Sequence, residues 1–415
     1  MADVAVAALV TLDSKAEEGR FLCDALRRAG ARPALVDISL RPHAVEGAAI
    51  SGRSLAEAAG SPWEALAGMD RARAAEIVIA GGRTVVTELV AAGKISGAIG
   101  LGGANGTSVA CGIMRALPPL FPKVMVSAVA ATAAVQWYVA ESDIVMIPSI
   151  GDVSLNRITR CVIDHAARAV VAMASGWAEG SGAAATKTPL VAVSAFGGTA
   201  GCVQGVEARL KAAGFEVILF HASGPGGRAL ESLARRGELC GVVDVTTHEL
   251  TDLLVGGVYS AGEDRLRGAA AVGLPQVVVP GALDHANFWA GMVPERFRSR
   301  QFFLYNPQNL LMRTNAEEFE ALGTLMAERL NQARGPFIVL VPTGGFSEHT
   351  RRTAHDLEGR PAGPWRQPET DALFARSLRA HLTKGELREL DLHINDPAFA
   401  DACASAFLEL VNARR

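Results

Sequence analysis

The stretch 4–39, VAVAALVTLDSKAEEGRFLCDALRRAGARPALVDIS, and the stretch 190–223, LVAVSAFGGTAGCVQGVEARLKAAGFEVILFHAS, carry the same order of signals. Each opens on a short apolar run without polar alternation, the pattern of a strand covered on both faces. Small and polar residues follow, then a segment with apolar positions at helical spacing: Phe21, Leu22, Ala25 and Leu26 within 17–29, and Val206, Leu210 and Ala213 within 203–213. Each helix closes on Ala-Gly, which places Gly30 and Gly214 as left-handed stops, and the chain returns to a strand. A strand–helix–strand unit of this kind pairs its strands in parallel.

Working outward, similar apolar runs recur at 95–101, 124–126, 144–147, 242–245, 276–279 and 337–341. The segment 178–189, AEGSGAAATKTP, is small and polar and reads as a linker between two restarts of the pattern. The expectation is an α/β protein of two doubly wound, mainly parallel-sheet, Rossmann-like lobes with a cleft between them. The lobes span 1–180 and 189–415, joined by a linker over 181–188. Further on, Thr314-Asn315 caps a helix over 316–331, Asp396-Pro397 starts a last helix to about 411, and 346–367 mixes charge, Gly and Pro as an irregular excursion.

Composition narrows the function classes. The chain has 415 residues, 49 % of them hydrophobic, with 43 glycines and a net charge of −3. No basic run offers a general polyanion surface, so nucleic acid is not an expected partner. No run approaches the roughly 20 uncharged apolar residues of a membrane span. The N-terminal MADVAVAALVTLDSK reads as a first strand rather than a signal peptide, so a cytoplasmic protein is expected. Six cysteines without a CxxC pair argue against a metal cage or redox motif.

Ligands of open parallel sheets sit beyond the carboxyl ends of the strands. The loop IGLGGANGTS, 99–108, follows a strand and enters a helix. Gly102, Gly103 and Gly106 let the backbone approach an anion, Asn105 and Thr107 add polar groups, and the helix start favours negative charge. It is neither a Walker motif nor a clean GxGxxG. The first strand ends in Thr11-Leu-Asp-Ser-Lys15: Lys15 can reach a phosphate, Ser14 and Thr11 can donate to it, and Asp13 serves as a helix cap or a Mg²⁺ ligand. In the second lobe the matching turns are Gly197, Gly198 and Thr199, then Ser223, Gly224, Gly226 and Gly227. Among the polar groups nearby, His248, Glu249, Asp284 and His285 are candidate acid–base residues. The GxSxG elbow is absent and the histidine spacing matches no standard zinc set.

Several stretches together resemble the Tm-one-like ATP-binding family, which has a plant branch and uncharacterised bacterial members. They include TLDSK, IGLGGANGT, PKVMVS ending at Ser127, HASGPGG, DVTTHELTDLLVGGVYSAGEDRL, PQVVVPGALDHANF, PERFRSR, NPQNLLMRT and HINDPAFA, in order along nearly the whole chain. The resemblance implies two α/β subdomains with ATP between them, with or without Mg²⁺, and a homodimer or higher homo-oligomer. Four features depart from the family pattern: AVAATAAVQWYV after Ser127, where Ser-Gly-Asp is expected; a segment 149–156 about one residue short; Tyr305 in place of histidine; and His285 in place of methionine. Three functions follow as alternatives. The first is a protein binding ATP or a related anionic metabolite. The second is a hydrolase or carbon–carbon lyase acting on a small oxo- or phospho-acid through His248, Glu249, Asp284 or His285. The third is a non-catalytic nucleotide-binding regulator.

Overall fold

Strand β1 (Ala5–Val10) shows why the first sheet forms. Its successive side chains point to opposite faces, and both faces are covered: Ala5, Ala7 and Leu9 join one apolar core, Val6, Ala8 and Val10 another. Around it lie β2 (Arg32–Asp37), β3 (Gly97–Gly102), β4 (Lys123–Ser127) and β5 (Val145–Pro148). They pair throughout in parallel in the order β2-β1-β3-β4-β5. The helices 12–28 and 157–178 cover one face; 71–91 and 104–114 cover the other. The first helix ends where expected, with Gly30 at φ +94°.

These elements come from a computed structural model that describes residues 4–180 and 188–413. The chain divides into two compact units, Met1–Ala185 and Thr186–Arg415. Of the expected linker, 181–187 lies outside the described residues.

Unit 2 contains β6 (Leu190–Ala195), β7 (Glu216–His221), β8 (Gly241–Thr246), β9 (Gln276–Gly281), β10 (His285–Trp289), β11 (Phe302–Asn306), β12 (Asn309–Arg313), β13 (Phe337–Pro342), β14 (Thr353–His355), β15 (Pro361–Pro364) and β16 (Glu386–Leu390). Six of them form a parallel sheet in the order β16-β13-β9-β8-β6-β7. Counted from its own first strand, this sheet repeats the winding of unit 1 with one strand added. In each unit the order reverses between the first and third strands, at β1/β3 and at β6/β8. Such a reversal is where open α/β sheets hold ligands.

The remaining five strands build a separate antiparallel sheet, β10-β12-β11-β14-β15. The sequence reading missed it. Its members are short, and β15, Pro-Ala-Gly-Pro, carries no strand signal; β11, Phe-Phe-Leu-Tyr-Asn, and β12, Asn-Leu-Leu-Met-Arg, do hold short apolar runs that the reading passed over. Part of the expected excursion 346–367 belongs to this sheet. The helix 316–330 starts with the expected cap: Asn315 accepts from the Glu318 amide at 2.9 Å, and Glu318 accepts in return from the Asn315 amide. No helix of the described residues is long and apolar enough to cross a membrane.

Candidate functional site

At the β1/β3 reversal, the loops after β1, β2 and β3 surround a cavity of about 310 Å³. Thr11, Asp13, Ser14 and Lys15 follow β1; Leu40 and Arg41 follow β2; Gly103, Ala104, Asn105 and Gly106 follow β3; and Arg71 begins the helix 71–91. The backbone at Lys15 leaves helical geometry (φ −131°, ψ 34°), which kinks the first turn of helix 12–28. Lys15 Nζ donates to the Val153 carbonyl and lies 4.0 Å from Glu18. Arg41 donates to the carbonyls of Leu66 (2.5 Å) and Met69 (2.6 Å), so these contacts leave its charge unneutralised. Among the described lining residues, three cations thus face one carboxylate, Asp13.

The glycines of this loop have separate reasons. A Cβ on Gly102 would lie 2.8 Å from the Gly106 Cα, so the turn closes only with glycine there. Gly103 caps helix 104–114 with no side-chain hydrogen bond, and a Cβ on it would meet nothing within 4 Å. The first residues of that helix, Ala104, Asn105 and Gly106, line the cavity, with the positive end of its dipole behind them. Asn105 is exposed at the rim. Thr107 and Ser127 turn inward instead. Both are fully buried, and their hydroxyls bond each other at 2.6 Å, tying the helix after β3 to the end of β4. Ser127 also accepts the Val129 amide, so it anchors the start of the atypical segment rather than lining the cavity. Arg41 and Arg71 escaped the sequence reading; Arg41 carries the signal of a cation just past a strand end.

Unit 2 treats its glycine-rich turns differently. Glu249 is buried and accepts from the amides of Gly224 (2.7 Å) and Gly227 (3.2 Å), at the start of helix 225–235. A Cβ on Gly227 would overlap the same carboxylate, and one on Gly226 would overlap the His221 carbonyl. Ser223 donates its amide to the His221 carbonyl at 2.8 Å. The anion that this loop binds is thus a side chain of the protein itself.

Glu249 in turn pairs with the fully buried Arg265 at 2.6 Å. Arg265 also holds Asp244 through two bonds (2.5 and 2.6 Å) and Glu231 at 3.2 Å. Glu231 completes its shell with the Leu266 and Gly268 amides. Burial raises the carboxyl pKa of both Glu231 and Glu249, against the pull of Arg265. Burial also opposes the Arg265 charge, but Asp244 and Glu249 outweigh it and hold the guanidinium above its ordinary range. Glu249 therefore has its hydrogen-bonding capacity committed to structure.

The other candidates gather near the β6/β8 reversal. Asp284, almost fully buried, accepts from Ser347 Oγ (2.7 Å) and Trp365 Nε1 (2.8 Å) and bonds His285 Nδ1 (3.0 Å). Burial opposes its charge, but His285, Arg313 and Ser347 together hold the carboxyl below the ordinary range. His248 stacks on Phe196 with centroids 4.2 Å apart, and His285 lies 5.9 Å from His248. Burial, reinforced by His285, keeps His248 neutral. Gly197 and Gly198 lie directly after β6, while Thr199 is buried against Thr246 at 2.7 Å. His349, which the sequence reading did not single out, lies 5.5 Å from His285 by ring centroid.

Fold and site together define a two-unit α/β protein with a cation-lined pocket at the strand reversal of unit 1. Comparison with known proteins places it further. Residues 4–179 match the N-terminal domain model of the Uncharacterised protein family (UPF0261), and residues 188–411 match its C-terminal domain model. The chain belongs to this family. It is 40 % identical to a UPF0261 protein of Rhizobium meliloti over 408 residues, covering 97 % of this chain and 98 % of that one. A Clostridium tetani UPF0261 protein is 38 % identical over 409 residues, 97 % of this chain and 98 % of its own. The ToMV resistance protein Tm-1(GCR237) of Solanum lycopersicum is 36 % identical over 324 residues, 76 % of this chain but 42 % of the tomato protein.

Proposed function

We propose that unit 1 binds ATP or a closely related phosphorylated metabolite, with the phosphates over Gly103–Gly106. The observation that carries this reading is the cavity at the β1/β3 reversal, which Lys15, Arg41 and Arg71 line together with the start of helix 104–114. Each element favours multiple negative charge: the dipole contributes at the first turn, and the three cations add Coulomb attraction. The volume of about 310 Å³ lies at the lower end of small-molecule sites and suits a polyphosphate with the rest of the ligand at the rim. Asp13 is an oxygen ligand of the type Mg²⁺ prefers, and it stands beside the hydroxyls of Thr11 and Ser14.

Titration calorimetry of the full chain with ATP and Mg²⁺ tests the reading. The informative variant is Gly103→Leu. The backbone there is extended (φ −74°), so leucine is tolerated, and its side chain enters the cavity. Binding to the wild type and its loss in a folded Gly103→Leu variant are expected. No heat at roughly 1 mM ligand, a range that covers affinities down to about −4 kcal/mol, overturns the proposal.

A further inference from the structure

We infer that the unit 1 pocket selects its ligand by the phosphate chain and leaves the ribose unread, because the acid placed to read it, Asp37, instead holds the pocket's own loops. This rests on the nucleotide reading above and adds the group by which the ligand is chosen. In doubly wound nucleotide folds, an acid about twenty residues beyond the first strand-to-helix turn hydrogen-bonds the ribose 2′-hydroxyl. Asp37, the last residue of β2, stands at that place.

Both oxygens of this carboxylate are already engaged. Asp37 Oδ1 accepts from the Leu12 amide (3.3 Å), the Ser39 amide (3.0 Å) and Ser39 Oγ. Asp37 Oδ2 accepts from the Gly52 amide (3.3 Å) and from His43 Nε2 (2.9 Å). The direction of the histidine bond is fixed, since His43 Nδ1 accepts the Val45 amide at 3.1 Å and the proton therefore sits on Nε2. A carboxylate offers about four lone-pair positions, and five donors converge on this one. Asp37 is 3 % exposed and is not among the described residues that line the cavity. A Cβ on Gly52 would stand 3.0 Å from Asp37 Oδ2, so the start of helix 52–58 packs directly on the carboxylate.

The bonds of Asp37 set the pocket. The Leu12 amide lies within the loop Thr11–Lys15, and Ser39 Oγ, while donating to Asp37, accepts the Asp13 amide at 3.0 Å. Ser39 and His43 bracket Leu40 and Arg41, so one carboxylate fixes the loop after β1 and the loop after β2 together. On the β2 side the cavity thus meets its ligand with Arg41, a cation suited to phosphate, rather than with the carboxylate that reads a diol. Leu40 is the large apolar side chain of the described lining; the other lining residues are polar, charged or small. A base therefore gains little here beside what three cations and a helix start give to phosphates.

Titration calorimetry on the full chain with Mg²⁺ tests the inference with ATP, dATP, GTP, tripolyphosphate and AMP. Binding of dATP, GTP and tripolyphosphate is expected within about tenfold of ATP, and of AMP, with one phosphate for three cations, about a hundredfold below it. Asp37→Asn keeps the shape but turns an amide donor towards donors already in place. It should weaken ATP and dATP by the same factor, as a positioning residue does, whereas loss of a ribose-reading acid would change their ratio. Near-UV circular dichroism checks that the variant folds; if it does not, Arg41→Gln takes its place and should weaken ATP and tripolyphosphate alike, about tenfold. The inference is overturned if ATP binds but dATP, GTP or tripolyphosphate falls more than about tenfold below it, if AMP matches ATP, or if folded Asp37→Asn loses affinity for ATP and not for dATP. Binding of none of the five overturns the nucleotide reading of unit 1 and this inference with it.

Discussion

Replacing Arg265 by methionine should be the most damaging single substitution in unit 2, and the structure says by how much. Arg265 is fully buried among Asp244, Glu231 and Glu249, with four of its hydrogen bonds to their carboxylates and a fifth to the Thr246 carbonyl. Methionine fills similar volume but leaves three buried carboxylates without a cation. Breaking a buried pair from one side costs about 3–5 kcal/mol, chiefly through the uncompensated partner. For a unit of this size each kcal/mol lowers the melting temperature by about 2–4 °C, so a fall of roughly 6–20 °C is expected.

The pH dependence gives the sharper check. Burial already raises the carboxyl pKa of Glu231 and Glu249, and losing Arg265 removes the main opposing influence. A carboxyl whose folded pKa stands above its unfolded value favours folding most when protonated. Its contribution is complete below the unfolded pKa near 4.3 and is lost as pH rises through the folded pKa. The gap between Arg265→Met and wild type should therefore be widest at pH 8 and shrink towards pH 5. Differential scanning calorimetry at both pH values measures it. A loss under about 1 kcal/mol at pH 8, within the range of an exposed ion pair, refutes the account, as does a gap that widens on acidification.

Gly227→Ala places a Cβ against the carboxylate of Glu249, pushing it off the Gly224 and Gly227 amides. A loss of about 1–3 kcal/mol in urea unfolding is expected, as for overpacking elsewhere. Asp284→Asn keeps the shape but presents an amide donor to two existing donors, Ser347 Oγ and Trp365 Nε1. It should cost roughly 1.5–3 kcal/mol at pH 7. Because the Asp284 pKa is depressed, the stability it contributes is present above the unfolded carboxyl value and is lost as pH falls. The gap between variant and wild type should therefore narrow below about pH 4.

How much of this was legible in the sequence differs by element. Each apolar run read as a parallel strand is one; for the inner strands this follows from burial on both faces, as at Val191, Ala192 and Val193, whereas the edge strands β5 and β7 keep their apolar runs although partly exposed. Gly30 and Gly214 stop their helices with positive φ, a local requirement that needs no tertiary knowledge. In the antiparallel sheet β11 and β12 form a local hairpin, whereas the single pair Phe302–His355 that joins β14 and β15 to it depends on residues about fifty positions apart, which no local pattern encodes. In unit 1 the sequence identified Thr11, Asp13, Ser14, Lys15, Gly103, Asn105 and Gly106, all of which line one cavity. It could not distinguish them from Thr107 and Ser127, whose hydroxyls look equally suitable but bond each other. Only the side-by-side placement of β3 and β4 decides that.

Glu249 shows the same limit and also explains how the units diverge. Both parallel sheets reverse order between their first and third strands and direct helix starts at that edge. A helix start with open amides attracts an anion, wherever the anion comes from. In unit 2 the start of helix 225–235 receives the Glu249 carboxylate, fixed by Arg265, so its glycines serve internal packing. In unit 1 no side chain among the described residues caps helix 104–114, and three of the four charged residues lining the cavity at its start are cations. Glycine content alone predicts the same ligand for both loops. The decisive difference is whether the chain has placed its own carboxylate at the helix start, which makes the Gly103–Gly106 loop, and not the Gly224–Gly227 loop, the place to look for an external phosphate.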